Sequence, residues 1–297
     1  MAARLEWFGC ATFRLRIRGL TLFFDTYLDG DRVPGSGIVG LSVADVDDAD
    51  FVFVSHAHFD HMLGADRLAA RTGATVIGSY EVARTLAGLG VDEAQLLRVA
   101  GGEPVDCGND VRVRVFPSLH SCLFAHGAKD TATECLGDLG ISAQERDARA
   151  VELLSMAPLL GEPIASWSAT NVHRSSLRDG GQFAYLVECP DGAIWVSSSA
   201  GYWSGIVRNL RPNVALLAAS GRPNVDGEPY QGSLARFILD EVEMLRPDEV
   251  IFSHHDALMP PVLTETDTDE AESLLRDHAS YASLTTLDYG AAHQILK

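Results

Sequence analysis

Histidine and aspartate are concentrated in one short segment, Ser55–His61, with the sequence SHAHFDH. Three of the ten histidines of the 297-residue chain fall there, at positions 56, 58 and 61, together with Asp60. Imidazole and carboxylate groups are costly to bury without partners, and both are good ligands for zinc. The alternative is a solvated loop or a set of hydrogen-bonded histidines. The density of histidine in a chain that has so few favours a metal-binding site.

The elements around this segment predict a layered fold. The preceding run, Phe51–Val54, is continuously apolar, which is typical of a strand buried on both faces. After it, the pattern predicts helices over 63–71 and 81–89 and strands over 74–78 and 111–116. Alternating strands and helices indicate an α/β architecture.

The two ends of the chain are also rich in strand patterns. We predict an N-terminal hairpin of residues 5–17 and 20–24. Later in the chain we predict strands over 182–188, 193–197, 214–218 and 249–252, and a helix over 234–245. In the middle of the chain, a capping box at Ser142–Glu145 predicts the start of a helix that ends at about Met156. We interpret residues from about 121 to 180 as an insertion over one edge of the core. Because no linker divides the chain, we expect a single domain over 1–297.

The composition excludes several functions. The chain carries 23 Lys and Arg against 41 Asp and Glu, a formal net charge of −18, so nucleic acid is not an expected partner. We find no signal-peptide pattern and no run near the roughly 20 apolar residues of a membrane span. The five cysteines lack a Cys-x-x-Cys pair, so we expect buried hydrophobic thiols and neither a disulfide framework nor a thiolate zinc site. These features predict a cytoplasmic protein and leave its oligomeric state open.

The pattern His-x-His-x-Asp-His after a buried strand resembles the signature of the metallo-β-lactamase superfamily. Further landmarks follow in the superfamily's order: an early strand ending in Asp at Leu22–Asp25, a histidine loop at Pro117–His120 and a last histidine at Phe252–His255. The resemblance implies a four-layer αββα sandwich of two similar halves, here with a helical insertion. Residues 5–13 and 180–183 look most like the group that includes ascorbate-phosphate lactonase and N-acylethanolamine phospholipase D.

The resemblance also implies two neighbouring metal sites. The residues implied as ligands are His56, His58 and His120 for one ion, and Asp60, His61 and His254 for the other. His255 is the alternative to His254, but the superfamily usually has one histidine directly after the strand, which favours His254. Asp25 is either a partner that orients a metal-bound imidazole or an ordinary strand-end Asp that caps a turn.

One position departs from the superfamily pattern. Many of its hydrolases have an Asp that bridges both metals after the strand that corresponds to 193–197, and Ser199 stands there in this chain. A serine hydroxyl is neutral and a poorer ligand than a carboxylate. We therefore expect a more weakly bound second metal and a more electropositive site, which would suit an anionic substrate. One subclass of true metallo-β-lactamases resembles this ligand set, with Ser at the same place.

The function implied by the resemblance is that of a metal-dependent hydrolase. Zinc lowers the pKa of a bound water to about 7, which makes hydroxide available as the nucleophile, and Asp60 would orient it as the catalytic residue. The expected substrate is a small-molecule lactone, ester or phosphodiester. The alternatives are a non-catalytic or mononuclear metal-binding protein of the same fold, or a β-lactam hydrolase. The expected cofactor is one or two Zn²⁺, with Mn²⁺ or Fe²⁺ as substitutes.

Overall fold

The computed structural model describes residues 3–28, 33–122, 138–155, 161–176, 178–260 and 263–296. The strands in these ranges are, in chain order, β1 (Ala3–Trp7), β2 (Phe13–Ile17), β3 (Leu20–Phe24), β4 (Thr26–Tyr27), β5 (Phe51–Phe53), β6 (Thr75–Gly78), β7 (Leu96–Arg98), β8 (Pro104–Gly108), β9 (Val111–Pro117), β10 (Phe183–Cys189), β11 (Gly192–Ser197), β12 (Gly201–Tyr202), β13 (Val214–Ala218), β14 (Asn224–Val225), β15 (Glu228–Pro229), β16 (Glu249–Ser253), β17 (Ser283–Thr285) and β18 (His293–Ile295). The helices are α1 (Phe59–Met62), α2 (Ala65–Thr72), α3 (Tyr80–Gly88), α4 (Ala143–Ser155), α5 (Ile164–Asn171), α6 (Ser204–Val207), α7 (Leu234–Leu245) and α8 (Asp269–His278).

Two large sheets form the centre of the fold. The first has the order β18-β1-β2-β3-β5-β6-β7 and the second β17-β16-β13-β11-β10-β9-β8, while β12, β14 and β15 form a small third sheet. The inner faces of the two large sheets share one apolar core. At its centre the rings of Phe24, Phe53 and Tyr185 are in contact, with the Phe53 centroid 5.3 Å from each of the other two. Aromatic burial of this kind is a large part of what holds two sheets together.

Helices cover the outer face of each sheet and complete four layers. On the first sheet, Leu68 of α2 and Leu86 of α3 pack with Val52 of β5. On the second, Phe237 and Val242 of α7 pack with strand residues of β11 and β13. The predicted αββα sandwich is confirmed.

The insertion is described in part. The predicted helix start at Ser142 is present, because Ser142 Oγ accepts a hydrogen bond from Glu145 N at 3.2 Å and caps the start of α4. Both α4 and α5 lie between β9 and β10, and α5 was not predicted. The predicted end of the first helix at Met156 lies outside the described residues.

The N-terminal strand prediction is wrong in one respect. Residues 5–17 form two strands, because the chain reverses between β1 and β2 at Gly9 and Cys10, which have φ angles of 89° and 47°. A Cβ at Gly9 would lie 2.2 Å from Ile38 Cγ2, so only glycine fits there. The predicted hairpin at Arg18-Gly19 is confirmed as the β2–β3 turn.

No helix within the described ranges combines the length and the apolar composition that crossing a membrane requires.

Glu241 is an acid inside the apolar layer between α7 and the second sheet. It is 2% exposed, and its hydrogen bond comes from Trp195 Nε1 at 3.2 Å. Burial raises the pKa of its carboxyl group from 4.5 to about 7, and the Trp195 bond only partly opposes that shift.

We expect Glu241→Gln to stabilise the metal-free protein at pH 8 and to change its stability little at pH 4. Below pH 4.5 the Glu241 carboxyl is neutral in the folded and the unfolded protein. Between pH 4.5 and the folded-state pKa of about 7 it ionises in the unfolded protein only, so the folded protein becomes progressively less stable as the pH rises. The expected gain in the free energy of unfolding at pH 8 is up to about 3 kcal/mol. Urea unfolding at both pH values measures it, with Glu243→Gln as the control on the exposed side of α7. An equal gain in the free energy of unfolding at both pH values would contradict the raised pKa of Glu241.

Candidate metal centre

The predicted site residues lie in the segments that leave one edge of each sheet, most of them in loops, with Asp60 and His61 in α1. Asp25 follows β3 and His56 follows β5, and these two strands are parallel neighbours. In the second sheet, β9 and β11 run the same way because each is antiparallel to β10, and β16 runs with them. His120, Ser199 and His254 follow these three strands. The carboxyl ends of parallel strands therefore gather the predicted residues at one edge.

Hydrogen bonds between the sheets bring the two edges together. Phe183 N of the second sheet donates to Ser55 O at 2.9 Å, and Tyr185 Oη donates to Val54 O at 2.8 Å. Both acceptors directly follow β5, so the histidine-rich loop starts from a point fixed against the opposite sheet.

Three histidines form the first of two donor groups found among the described residues. His58 Nδ1 lies 3.1 Å from His56 Nε2 and 3.1 Å from His120 Nε2. Burial, reinforced by neighbouring imidazoles, lowers the pKa of His56 well below its usual value and that of His58 to about 3. Burial also lowers the pKa of His120. The neutral imidazole, the form that binds metals, is therefore favoured at all three positions.

The outer hydrogen bonds of these rings test whether a metal fits. His120 Nδ1 donates to Ser121 O at 2.8 Å, so its Nε2 carries a lone pair. Ser55 Oγ donates to Asp25 at 2.8 Å and accepts from His56 Nδ1 at 3.0 Å, which leaves His56 Nε2 unprotonated as well. Lone pairs that converge in a buried space repel each other unless a cation lies between them. The donor set thus fits a divalent metal ion.

The second donor group surrounds Asp60. Its Oδ2 atom lies 3.2 Å from His61 Nε2, 3.2 Å from His254 Nε2 and 3.7 Å from Cys10 Sγ. Although burial opposes ionisation, His61 and His254 hold the pKa of Asp60 well below its usual value. Although burial also opposes a charge on His61, the carboxylates of Asp60 and Asp25 raise its pKa to about 10. In the metal-free chain a proton on His61 thus supplies the positive charge that a cation would bring.

Asp25 contacts the second donor group directly and reaches the first through Ser55. Its carboxylate accepts hydrogen bonds from Ser55 N at 2.6 Å, Ser55 Oγ at 2.8 Å and His61 Nδ1 at 2.8 Å. The side chain is 0% exposed, and its φ of 51° lies in the left-handed region. Of the two interpretations of Asp25, the geometry favours the one in which it orients imidazoles.

The structure separates His255 from both donor groups. Its ring stacks on Trp7 with centroids 5.1 Å apart, and its buried Nδ1 has no hydrogen-bond partner among the described residues. Ser199 lies beside the His120 loop, where its Oγ accepts a hydrogen bond from Ser121 N at 3.0 Å.

Cys10 is the member of the second group that the sequence does not predict, because its pattern indicates only a buried hydrophobic thiol. One signal was available. Two consecutive antiparallel turns, β1–β2 and β2–β3, return β3 to the direction of β1, so the turn after β1 emerges at the same edge as Asp25.

Comparison with known proteins supports the same superfamily. A family profile described as a beta-lactamase superfamily domain matches residues 23–139. A UPF0173 metal-dependent hydrolase of Pyrobaculum neutrophilum is 30% identical over 118 residues, or 40% of this chain and 51% of that protein. The match thus spans about half the length of the curated relative. Igni18, a metallo hydrolase from Ignicoccus hospitalis, aligns over 99% of both chains with a TM-score of 0.63 and 16% identity. Residues 23–139 thus resemble a domain of the beta-lactamase superfamily, and the whole chain shares the fold of metallo hydrolases.

The metallo-β-lactamase fold accommodates more than one kind of metal chemistry. CmlA, a diiron β-hydroxylase from Streptomyces venezuelae, aligns over 99% of this chain and 54% of its own, with a TM-score of 0.58 and 17% identity. At this identity the likeness concerns the fold alone, so the identity of the metal must come from the donor atoms.

We expect Asp25→Asn to weaken metal binding at the Asp60 group by about 10–100-fold. The Asn amide would donate to His61 Nδ1, which forces the proton onto Nε2, the atom that faces Asp60. Competition with a chromophoric chelator measures the two binding steps separately, and Asp277→Asn on the exposed side of α8 is the control. Unchanged affinity in both steps would contradict an orienting role.

Proposed function

We propose that the protein is a metal-dependent hydrolase of a small molecule, with a lactone, ester or phosphodiester as its substrate. The observation that carries this proposal is the adjacency of the two donor groups. The rings of His56 and His61, one from each group, have centroids only 3.9 Å apart. Ions held by the two groups would be close enough to act on one reacting bond. The relatives named metal-dependent hydrolases support the reaction class.

The first donor group provides neutral nitrogen ligands whose orientation is fixed from outside. Ser121 O holds the His120 ring, and Ser55 Oγ holds the His56 ring. When bound there, a divalent ion lowers the pKa of a water molecule to about 7 and stabilises negative charge on the attacked oxygen.

Asp60 is the proposed catalytic residue. Because its pKa is held well below the usual value, its carboxylate is ionised at neutral pH and accepts a hydrogen bond from the attacking water. Its position is also fixed, since His61 and His254 both lie 3.2 Å from the same oxygen. Asp60 would thus hold a metal and aim the nucleophile.

The donor atoms support Zn²⁺ as the metal, in one or two copies. Imidazole nitrogen supplies all three donors of the first group and two of the four in the second, and neutral imidazole suits zinc and iron better than manganese. Elemental analysis of protein purified without chelators or a histidine tag tests this. A ratio near two metals per chain supports both sites, whereas a ratio near one supports a mononuclear protein.

We expect Asp60→Asn to reduce hydrolysis by at least about 10²-fold, since the amide neither ionises nor accepts a proton. The measurement is turnover of nitrophenyl esters, lactones and phosphodiesters by zinc-loaded protein, with thermal unfolding to verify the fold. Asp277→Asn is the matched exposed control, and dialysis against a chelator is expected to abolish activity reversibly. Full turnover in Asp60→Asn would refute the mechanism, and two bound metals without turnover of any substrate in the panel would favour a binding protein.

A further inference from the structure

The turn that carries Cys10 is fixed by partners from distant parts of the chain. Cys10 N donates to Asp256 Oδ2 at 2.7 Å. Cys10 O accepts from His254 N at 2.9 Å and from Trp7 Nε1 at 2.8 Å. These bonds hold Cys10 at a φ of 47°, a left-handed conformation that costs roughly 1–2 kcal/mol outside glycine. The backbone of a predicted ligand, His254, is therefore tied directly to the backbone of Cys10.

The side chain of Cys10 faces the ionisable groups of the second donor group. The thiol is 0% exposed, and its sulfur lies 3.7 Å from Asp60 Oδ2. The donor atoms of Cys10, Asp60, His61 and His254 all lie within 4.8 Å of one another. Four donors of the types sulfur, oxygen and nitrogen are what a tetrahedral zinc site uses.

We propose that the Cys10 thiolate is a ligand of the metal held by Asp60, His61 and His254, and that it supplies the negative charge that the neutral Ser199 does not. The proposal rests on the metal centre of the proposed function and names one more of its ligands. It also alters an expectation from the sequence. With the thiolate bound, the site carries one positive charge less, so the argument from Ser199 for an anionic substrate loses its electrostatic basis.

A thiolate ligand also predicts metal selectivity. Soft sulfur ligands favour zinc and disfavour manganese, which prefers carboxylate oxygen. The second site should therefore discriminate between Zn²⁺ and Mn²⁺ more strongly than the first, whose donors are all nitrogen.

Cobalt substitution tests the ligand directly and without an activity assay. Metal-free wild-type protein is titrated with Co²⁺, and we expect a near-ultraviolet sulfur-to-cobalt charge-transfer band that saturates with the filling of the second site. Cys10→Ser and Cys10→Ala are expected to lose the band and to bind the second ion at least tenfold more weakly. Cys189→Ser, a half-buried cysteine at the end of β10, is the control that keeps the band.

A third variant separates charge from sulfur chemistry. Cys10→Asp retains a negative charge, so we expect it to bind the second ion more tightly than Cys10→Ser, without the band and with a lower preference for Zn²⁺ over Mn²⁺. Thermal unfolding verifies that each variant folds, and the absence of the band from the wild-type spectrum would by itself overturn the Cys10 ligand. Two bound cobalt ions without the band would overturn the Cys10 ligand and leave the hydrolase proposal intact. Failure to bind cobalt at all would overturn both.

Discussion

The candidate metal centre depends on one buried carboxylate, that of Asp25. It accepts hydrogen bonds from Ser55 N and Oγ and from His61 Nδ1, and through Ser55 it also determines which nitrogen of His56 is protonated. A buried charge without partners would be costly, but here three donors satisfy it. The histidine group consequently has lone pairs directed inward before any ion arrives, and His61 is already held with Nε2 toward Asp60, which reduces the reorganisation that metal binding requires.

The sequence was sufficient to predict the four-layer fold, because buried strands and amphipathic helices leave clear periodic patterns. It was also sufficient to predict the strand-end loops that the structure brings together at one edge, including Asp25, His56 and His254. The roles of His56 and His254 as ligands, and of Asp25 as the residue that orients imidazoles, stay predictions. The geometry favours His254 over His255 as the ligand, since His254 Nε2 lies 3.2 Å from Asp60 Oδ2 while the His255 ring stacks on Trp7.

Cys10 shows what local patterns cannot supply. Its residue type and spacing give no sign of a ligand, and the apolar pattern of residues 5–17 conceals the turn in which it lies. Its place near Asp60 depends on strand order, on a strained φ angle and on partners more than 240 residues away. The strand order indicates only the sheet edge at which Cys10 lies, whereas its contact with Asp60 follows from tertiary structure. The same holds for Glu241, whose raised pKa reflects burial under a sheet.

The bonds from Cys10 to His254 and Asp256 also determine when the second donor group can form during synthesis. The two sides of this group are separated by most of the sequence, and Asp256, which holds the Cys10 turn, is 246 positions from Cys10. While β16 is still inside the ribosome, the emerged chain already contains the whole first donor group, His56, His58 and His120. It still lacks His254 and the Asp256 carboxylate, which holds the Cys10 turn. The histidine group can thus assemble on the nascent chain, whereas completion of the Asp60 group must follow release of the C-terminal strands, as is expected for contacts of such large sequence separation.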